Sequence, residues 1–448
     1  MYSEKIIEKL KDKNIAILGF GREGKSTYNF IRKHLPEKHL TIIDKANITC
    51  DDLYVDLVTG DDYLNDLGKY DLIIKTPGIS LKDIDYSDFK DSITSQLELL
   101  LEVDRKNIIG ITGTKGKSTT STLMYEVLRD QRDNVYLLGN IGIPVLDKIE
   151  EYTDSSLLVI EMSSHQLEFI KHSPHIAAIL NLFQDHLDHA GSLEHYHNNK
   201  MNIFKYQTGD DFAIYSDDNV YLNNKMKEFD IKSNKYNVRF DMDNVFGNSV
   251  RTDGKHIYIN GEDVYTDGER KLIGDHNLKN IMFVLTISKI LGLDLEKARN
   301  VILNFVGLKY RMEYLGIYHD IKYYSDTIAT IPDATMNAVK AIKDVDTLIF
   351  GGLDRGIDYT GFIEFLKNSS INNLICMPST GTKIGHVLEK ESNKNIKYAD
   401  TLEEANELAI LYTKKGMSCL LSPSAASYEY FKNFEEKGDA FEKVVKKM

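Results

Sequence analysis

A glycine-rich loop between an apolar run and a helical pattern constrains the fold of this chain more than any other feature. Residues 107–120 have the sequence NIIGITGTKGKSTT, in which a strand-like apolar run leads into Gly113, Gly116 and Lys117. The backbone N–H groups of such a loop point inward at the start of a helix, and the helix dipole also favours a phosphate there. The segment therefore predicts a strand, a phosphate-binding loop and a helix, in that order.

The side chains of this loop indicate ATP. Lys117 is expected to reach the β- and γ-phosphates, and the hydroxyl group of Ser118 is expected to bind Mg²⁺. The strict spacing G-x-x-x-x-G-K-[ST] requires glycine at position 111, where this chain has isoleucine, so Gly113 makes the tight turn in a variant loop. The alternative is a glycine-rich turn with a surface lysine, which the preceding apolar run disfavours. The predicted ATP contacts here are Gly113, Thr114, Lys115, Gly116, Lys117, Ser118 and Thr119.

Three later residues are candidate metal ligands. Glu161 ends the apolar run LLVIE, and Asp185 and His186 follow the run AAILNL. A carboxylate and an imidazole at strand ends can hold a divalent cation beside nucleotide phosphates. Each alone is often only a solvated strand end or a helix cap. Their position after the phosphate loop favours the metal site.

The N-terminal region has a second glycine pattern. Gly19-Phe-Gly21-Arg-Glu-Gly24 is a G-x-G-x-x-G after an apolar run, and Asp44 ends the next apolar run. This pattern is typical of dinucleotide binding, but the same glycines can serve any nucleotide diphosphate. A dehydrogenase would also need a hydride-transfer site, and no residue suggests one. We therefore interpret this region as binding a nucleotide diphosphate without redox chemistry.

Length and composition limit the remaining possibilities. A chain of 448 residues corresponds to about three domains. The formal net charge of −13 disfavours a broad nucleic-acid-binding surface. The three cysteines are far apart and lack C-x-x-C spacing, so disulfides and a structural zinc site are not expected. No apolar run approaches the roughly 20 residues that span a bilayer, and we expect a cytoplasmic protein without membrane contact.

Short apolar runs alternate with helical patterns along the whole chain. This alternation predicts parallel sheets covered by helices, and hence an α/β fold. Changes in the pattern place domain boundaries so that the domains span 1–104, 105–308 and 309–448.

Several longer motifs together indicate membership of a protein family. They are GITGTKGKSTT (110–120), GNIG (139–142), EMSSHQLE (161–168), NLFQDHLDHAGSLEHYHNNK (181–200), GDHNLKN (274–280), GGLDRGIDY (351–359) and LSPSAASYEYFKNFEEKGDAF (421–441). With these motifs the chain resembles the Mur ligases of peptidoglycan synthesis, and the last motif resembles their glutamate-adding members. The resemblance implies a UDP-binding Rossmann-like domain, a central P-loop ATPase-type α/β domain and a C-terminal Rossmann-like domain.

The resemblance also implies a reaction. ATP would phosphorylate the L-alanyl carboxylate of UDP-N-acetylmuramoyl-L-alanine, with Mg²⁺ as cofactor. The amine of glutamate would then attack the acyl-phosphate, and phosphate would leave from a tetrahedral intermediate. Such an enzyme serves cell-wall biogenesis, cell shape and cell division, and we expect it to be a monomer.

The same resemblance assigns residues to roles. It implies catalytic roles for Lys117, Glu161, His186 and Lys200, and a metal site formed by Ser118, Glu161, His186 and a carbamylated Lys200. It implies further ATP contacts at Asn277, Asn280, Arg311 and Asp326. For the UDP-substrate it implies Gly19, Gly21, Arg22, Glu23, Asp44, Lys45, Thr76, Gly78, Asn140, Ser163 and His165. For glutamate it implies Thr330, Arg355, Ser427 and Phe434.

The chain departs from the family pattern near the glutamate residues. Where the family reads Asn-Asp-Ser-Lys-Ala-Thr-Asn, residues 325–331 read SDTIATI, so that Ile328 replaces a lysine. Tyr310 also replaces the usual histidine before Arg311. A carboxylate facing isoleucine lacks a charged partner, and hydrogen bonds to charged groups contribute about 1.5–3 kcal/mol. Arg355 and Ser427 can compensate for the missing lysine. We favour D-glutamate as the substrate and keep L-glutamate as the alternative.

Two other functions compete with this one. A folylpolyglutamate synthase would share the phosphate-loop chemistry, but it lacks a separate N-terminal UDP domain. A non-catalytic nucleotide-binding subunit is disfavoured because the catalytic and metal-site residues are all retained, namely Lys117, Ser118, Glu161, His186 and Lys200.

Overall fold

The computed structural model describes residues 2–183, 191–243, 245–272, 274–427 and 430–447. The chain forms two compact units, Met1–Phe305 and Val306–Met448. Three mainly parallel sheets with flanking helices lie within them, which confirms the predicted α/β fold. Within the described residues, no helix has the length and apolar character needed to cross a membrane.

The first sheet has five parallel strands in the order β3-β2-β1-β4-β5. This order matches the doubly wound order 3-2-1-4-5-6 without its sixth strand. The strands are β1 Ile15–Leu18, β2 Leu40–Asp44, β3 Val55–Thr59, β4 Leu72–Lys75 and β5 Ile93–Thr94. The helices of this region are α1 Tyr2–Leu10, α2 Arg22–His34 and α3 Gln96–Val103.

The central strand β1 fixes where the N-terminal glycine loop lies. All four residues of β1 are buried, as expected for a strand with neighbours on both sides and helices on both faces. The loop after β1 leads directly into α2. A Cβ atom on Gly24 would lie 2.0 Å from the carbonyl oxygen of Gly19, so the third glycine allows α2 to pack against the loop.

The second sheet has nine strands in the order β14-β13-β12-β11-β10-β9-β6-β8-β7. The seven strands from β7 to β12 in this order are parallel, and β12, β13 and β14 form an antiparallel edge. The strands are β6 Ile108–Thr112, β7 Val135–Gly139, β8 Leu157–Glu161, β9 Ile176–Ile179, β10 Phe212–Ser216, β11 Asn234–Val238, β12 Asn248–Thr252, β13 His256–Ile259 and β14 Glu262–Thr266. The helices are α4 Lys117–Arg129, α5 Ser164–Leu167, α6 Leu193–Lys205, α7 Val220–Glu228, α8 Asp275–Ile290 and α9 Leu295–Asn304.

The third sheet belongs to the second unit and has the order β15-β16-β20-β17-β18-β19. Only β15 is antiparallel to its neighbour, and β20 lies between β16 and β17. The strands are β15 Glu313–Tyr318, β16 Ile321–Ser325, β17 Val345–Phe350, β18 Asn373–Cys376, β19 Asn395–Tyr398 and β20 Ser418–Leu421. The helices are α10 Pro332–Ala341, α11 Thr360–Asn368, α12 Thr380–Glu391, α13 Leu402–Tyr412 and α14 Phe434–Lys446.

Each of the three predicted domains contains one sheet. The first two sheets lie in one compact unit and the third lies in the other. The division between the units follows Phe305, close to the predicted boundary after residue 308. The boundary after residue 104 stays a prediction, because the first unit is compact across it.

Replacing Gly24 with alanine should destabilise the N-terminal sheet. The added methyl group would meet the Gly19 carbonyl oxygen at 2.0 Å, and overpacking of this kind costs about 1–3 kcal/mol. Gly21→Ala is the matched control, because a Cβ there would meet no atom within 4 Å. Urea unfolding followed by far-UV circular dichroism should show a lower midpoint for Gly24→Ala only. Equal midpoints for both variants would contradict the close packing.

Candidate active site

The predicted phosphate loop lies between β6 and α4, as expected. Gly113 and Gly116 have φ angles of +155° and +87°, a region that favours glycine. A Cβ atom on Gly116 would also lie 2.7 Å from Oδ1 of Asn280 in helix α8. Asn280, a predicted ATP contact, therefore lies against the phosphate loop. Asn280 Nδ2 in turn donates a hydrogen bond to Oδ1 of Asn277 at 3.1 Å.

Asn181 holds the loop in place, although the sequence analysis did not single it out. Its carbonyl oxygen accepts a hydrogen bond from the backbone N–H of Thr114 at 3.0 Å. Its side chain accepts from the N–H of Lys115 at 2.9 Å and donates to the carbonyl oxygen of the same residue at 3.0 Å. The signal in the sequence is its place shortly after β9, the strand that pairs with β6. An amide at that strand end can satisfy both backbone groups of the loop.

Lys117 folds over the loop that precedes it. Its Nζ donates hydrogen bonds to the carbonyl oxygens of Gly113 at 2.9 Å and Thr114 at 3.1 Å. Ser118 and Thr119 follow in the first turn of α4, where the backbone N–H groups and the helix dipole favour an anion. The loop thus offers a cation, hydroxyl groups and a helix N-terminus to a phosphate.

Glu161 ends β8, next to β6, and is fully buried. Its Oε1 accepts a hydrogen bond from Asn140 Nδ2 at 2.7 Å, whereas no described residue donates to its Oε2. A buried carboxylate with an unused oxygen is costly unless it is paired or binds a metal. Carboxylate and hydroxyl oxygens are also the donors that Mg²⁺ prefers. Glu161 and Ser118 therefore fit the Mg²⁺ site that the family resemblance implies.

Lys200 lies in helix α6 and is 1% exposed. Its Nζ donates to Thr112 Oγ1 at 3.2 Å and lies 5.0 Å from the centre of the Tyr196 ring. This position is at the end of β6, where the phosphate loop begins. The predicted metal ligand His186 lies outside the described residues. Among the residues that are described, no three His, Cys, Asp or Glu side chains form a metal-binding group.

The predicted UDP-substrate residues of the first sheet come together at its carboxyl edge. The backbone N–H of Phe20 donates to Asp44 Oδ2 at 2.7 Å, and Thr76 Oγ1 donates to the carbonyl oxygen of Leu18 at 3.0 Å. A Cβ atom on Gly19 would lie 2.1 Å from Thr76 Oγ1, so the three loops are in close contact. The other predicted residues on these loops are Gly21, Lys45 and Gly78.

Two residues at the start of α2 reach the second sheet. Arg22 donates a hydrogen bond to the carbonyl oxygen of Gly142, in the loop after β7. Glu23 Oε1 accepts a hydrogen bond from Gln166 Nε2 at 2.8 Å. Gln166 also forms a capping box with Ser163 at the start of α5. The carboxylate predicted to contact the substrate is thus engaged within the protein, and burial raises the pKa of Glu23.

A buried ion pair lies beside this contact. Lys75 Nζ is 3.6 Å from Glu168 Oε2, and Glu168 Oε1 is 3.1 Å from His195 Nε2. Burial lowers the pKa of Lys75, and the nearby carboxylate of Glu168 opposes that shift. Lys75, His165 and Gln166 line a small cavity between the first two sheets. Lys75 is not among the residues predicted from the sequence, although a lysine that ends an apolar run indicates a buried charge.

The predicted glutamate residues of the second unit lie on loops at one edge of the third sheet. The backbone N–H of Ser424 donates to the carbonyl oxygen of Ala329 at 2.9 Å, which joins the loops after β20 and β16. The N–H of Leu353 donates to the carbonyl oxygen of Ala426 at 2.9 Å, which joins the loops after β17 and β20. These loops carry Thr330, Arg355 and Ser427, and Phe434 begins α14.

Comparison with known proteins decides the family. A family profile described as the Mur ligase middle domain matches residues 111–288. A Clostridium kluyveri protein named UDP-N-acetylmuramoylalanine–D-glutamate ligase is 32% identical over 453 residues, covering 98% of this chain and 98% of the relative. The chain belongs to the Mur ligase family. This Mur ligase is accordingly an ATP-dependent ligase.

Solved structures share the fold of this Mur ligase. The UDP-N-acetylmuramate–alanine ligase of Thermotoga maritima superimposes with a TM-score of 0.58 at 17% identity, covering 97% of this chain and 99% of that one. The MurF ligase of the same organism, solved in complex with ADP, gives a TM-score of 0.57 at 16% identity, with coverage of 98% and 96%. The fold predicted from the family resemblance is therefore confirmed.

Asp326, a predicted ATP contact, is buried in the second unit of this Mur ligase, directly after β16. Its Oδ2 accepts a hydrogen bond from Ser422 Oγ at 2.8 Å, and its Oδ1 accepts from the backbone N–H of Met312 at 3.1 Å. Burial raises the pKa of Asp326 to about 6, against the opposing charge of Arg311. Asp326 is therefore ionised at neutral pH at a cost in folding free energy.

Replacing Gly116 with alanine should weaken ATP binding. The backbone would be strained at φ +87°, and the methyl group would collide with Asn280. A left-handed conformation alone costs an ordinary residue about 1–2 kcal/mol, so we expect the Kd for ATP to rise at least about tenfold. Gly209→Ala is the control, because a Cβ there meets no atom within 4 Å. Calorimetric titration with ATP would disprove this prediction if both variants bound alike.

Replacing Asp326 with asparagine should change how stability depends on pH. The pKa of Asp326 is about 6 in the folded protein against a reference of 3.8. Its contribution to the free energy of unfolding is therefore fully present below pH 3.8 and is lost as the pH rises through 6. The asparagine side chain cannot ionise. We therefore expect the unfolding free energy of Asp326→Asn to gain about 1–2 kcal/mol over the natural protein between pH 5 and pH 8. Urea unfolding at both pH values measures this difference, and a constant difference would refute the raised pKa.

Proposed function

We propose that this Mur ligase joins glutamate to UDP-N-acetylmuramoyl-L-alanine, with conversion of ATP to ADP and phosphate. The observation that carries the proposal is the presence of two phosphate-binding loops in one compact unit. The loop at 19–24 suits the diphosphate of a UDP-sugar, and the loop at 113–119 suits ATP. Arg22 contacts the loop after β7, so the two sheets that carry these loops adjoin each other. A ligase that activates a UDP-linked carboxylate needs both nucleotide sites.

The residues at the ATP loop suit carboxylate activation. The substrate carboxylate and the γ-phosphate are both anionic, and their approach requires positive charge. Lys117 would exchange its two carbonyl contacts for phosphate oxygens and stabilise the charge that develops during transfer. Ser118 and Glu161 would hold Mg²⁺, which neutralises charge on the phosphate oxygens when bound.

We include carbamylation of Lys200 in this proposal. Its side chain is buried beside Thr112, at the end of β6. After loss of a proton from the ammonium group, the neutral amine would add CO₂ and release a second proton, and the resulting carbamate anion would be a further oxygen donor for Mg²⁺. We also propose that the enzyme is a cytoplasmic monomer with domains at 1–104, 105–308 and 309–448.

The amino acid is glutamate in this proposal, with the D-isomer favoured over the L-isomer. The support is the Clostridium kluyveri relative, which is named as a D-glutamate ligase and matches almost the whole chain. Arg355 is exposed on the loop after β17 and can bind a carboxylate through two hydrogen bonds. Ile328 offers no charge to that substrate. A folylpolyglutamate synthase is disfavoured because the first sheet carries its own nucleotide loop.

The purified enzyme should release phosphate from ATP only when both UDP-N-acetylmuramoyl-L-alanine and glutamate are present with Mg²⁺. Parallel reactions with D- and L-glutamate identify the isomer, and we expect faster release with D-glutamate. Phosphate release and the mass of the UDP-linked product are the two measurements. If neither isomer supports release, the proposed function is wrong.

Replacing Lys117 with alanine should abolish turnover and leave the UDP-substrate bound. Loss of one electrostatic donor costs about 10²–10³ in kcat, so phosphate release should fall at least about a hundredfold. The UDP loops lie on a different sheet, and calorimetry should therefore give a Kd for the UDP-substrate within about twofold of the natural value. Loss of UDP-substrate binding in this variant would contradict the separation of the two sites.

A further inference from the structure

Lys437 is a buried cation in the second unit that none of the assigned roles uses. It lies in the first turns of α14 and is 3% exposed. Its Nζ donates one hydrogen bond, to the carbonyl oxygen of Gly351 at 3.0 Å. In the described part of the chain, no carboxylate forms an ion pair with it. An ammonium group has three donors, so two remain for another partner.

The hydrogen bond to Gly351 places this ammonium group at the carboxyl edge of the third sheet. Gly351 follows β17 directly, and its backbone N–H donates to the carbonyl oxygen of Pro423 in the loop after β20. In the third sheet β20 lies between β17 and β16, so the carboxyl ends of three parallel strands meet here. Ligands of such sheets bind beyond the carboxyl ends of the strands.

Buried hydroxyl groups at the same edge also lack partners. The Oγ atoms of Ser325, Ser424 and Ser427 are buried, and no described residue hydrogen-bonds to them. Ser325 ends β16, and the other two serines lie in the loop after β20. Buried polar groups normally have hydrogen-bond partners, and leaving them without one costs free energy. An ammonium group and three unused hydroxyl groups complement a carboxylate.

Helix α14, which carries this cation, packs against the segment 325–331, in which isoleucine replaces the family lysine. Thr327 Oγ1 donates to the carbonyl oxygen of Phe434 at 2.8 Å. A Cβ atom on Gly438 would lie 2.9 Å from Thr327 Oγ1, so the start of α14 packs closely on this segment. The next residue is Ile328, which stands where the family sequence has lysine. Lys437 is thus a positive charge on the helix that packs against the segment in which isoleucine replaces the family lysine.

We propose that Lys437 binds one carboxylate of the amino-acid substrate and thereby selects an acidic amino acid. A dicarboxylic amino acid has two anionic groups, and Arg355, on the loop after β17, provides a cation for only one of them. Lys437 provides the second, with the serine hydroxyl groups as additional donors. This assignment rests on the proposed function and adds a specificity-determining residue to it.

The electrostatics of the site agree with this role. Burial lowers the pKa of Lys437 to about 8, which leaves the side chain mainly protonated at neutral pH. A buried ammonium group without an anion is unfavourable. A bound carboxylate would supply the missing charge.

Lys437→Met in the full-length enzyme tests the proposal. Methionine keeps an unbranched side chain of similar length in an apolar setting and removes the charge. We expect the KM for glutamate to rise at least tenfold, because a charge-assisted hydrogen bond is lost. The kcat and the KM values for ATP and the UDP-substrate should stay within about twofold. Lys437→Arg should recover part of the affinity, and Lys443→Met, at an exposed position on the same helix, is the matched control.

The outcomes separate this inference from the proposed function. If the natural enzyme shows no glutamate-dependent phosphate release, the proposed function fails. If the natural enzyme is active and Lys437→Met keeps its KM for glutamate, or loses only kcat, Lys437 does not bind the substrate and the inference is overturned. Should Lys437→Met not fold by circular dichroism, Lys437→Gln takes its place, because it retains a hydrogen-bond donor to Gly351. An unchanged KM for glutamate in that variant is equally decisive.

Discussion

The close approach of Asn280 to Gly116 sets the geometry on which the rest of the ATP site depends. Glycine suits the left-handed backbone at this position, and a Cβ atom there would lie only 2.7 Å from Asn280 Oδ1. Asn181 holds the other half of the loop by hydrogen bonds to the backbone of Thr114 and Lys115. The loop shape in turn sets the positions of Lys117 and of the N-terminus of α4, which are the groups proposed to bind the phosphates. A rigid loop of this kind needs little reorganisation when charge develops in the transition state.

Buried charges with incomplete hydrogen bonding mark both candidate ligand sites. Glu161 has an unused carboxylate oxygen at the end of β8, and Lys437 has no carboxylate partner among the described residues. Asp326 has hydrogen bonds to both carboxylate oxygens, but its burial still raises its pKa. Each group is costly in the protein alone, because burial removes its hydration. In the proposed function, Mg²⁺ would supply the missing partner of Glu161 and a substrate carboxylate that of Lys437, which would offset this cost.

Polar contacts between the first two sheets connect the UDP loops to the central sheet. Glu23 pairs with Gln166, and Lys75 lies near Glu168 in a setting that lowers the pKa of the lysine. Such contacts require a defined orientation of the partners, unlike apolar packing, which tolerates small shifts. They can therefore hold the first two sheets in a defined orientation. This role differs from the direct substrate contact predicted for Glu23.

Local patterns in the sequence determined the α/β class, the two glycine loops and the replacement of the family lysine by Ile328, because each depends on a few adjacent residues. The insertion of β20 between β16 and β17 did not follow from the sequence, since strand order depends on which helices pack on which face. The roles of Asn181, Lys75 and Lys437 also required the tertiary structure. Their partners lie at distant positions in the chain, and burial, which gives a polar side chain its energetic weight, exists only after the sheets have packed.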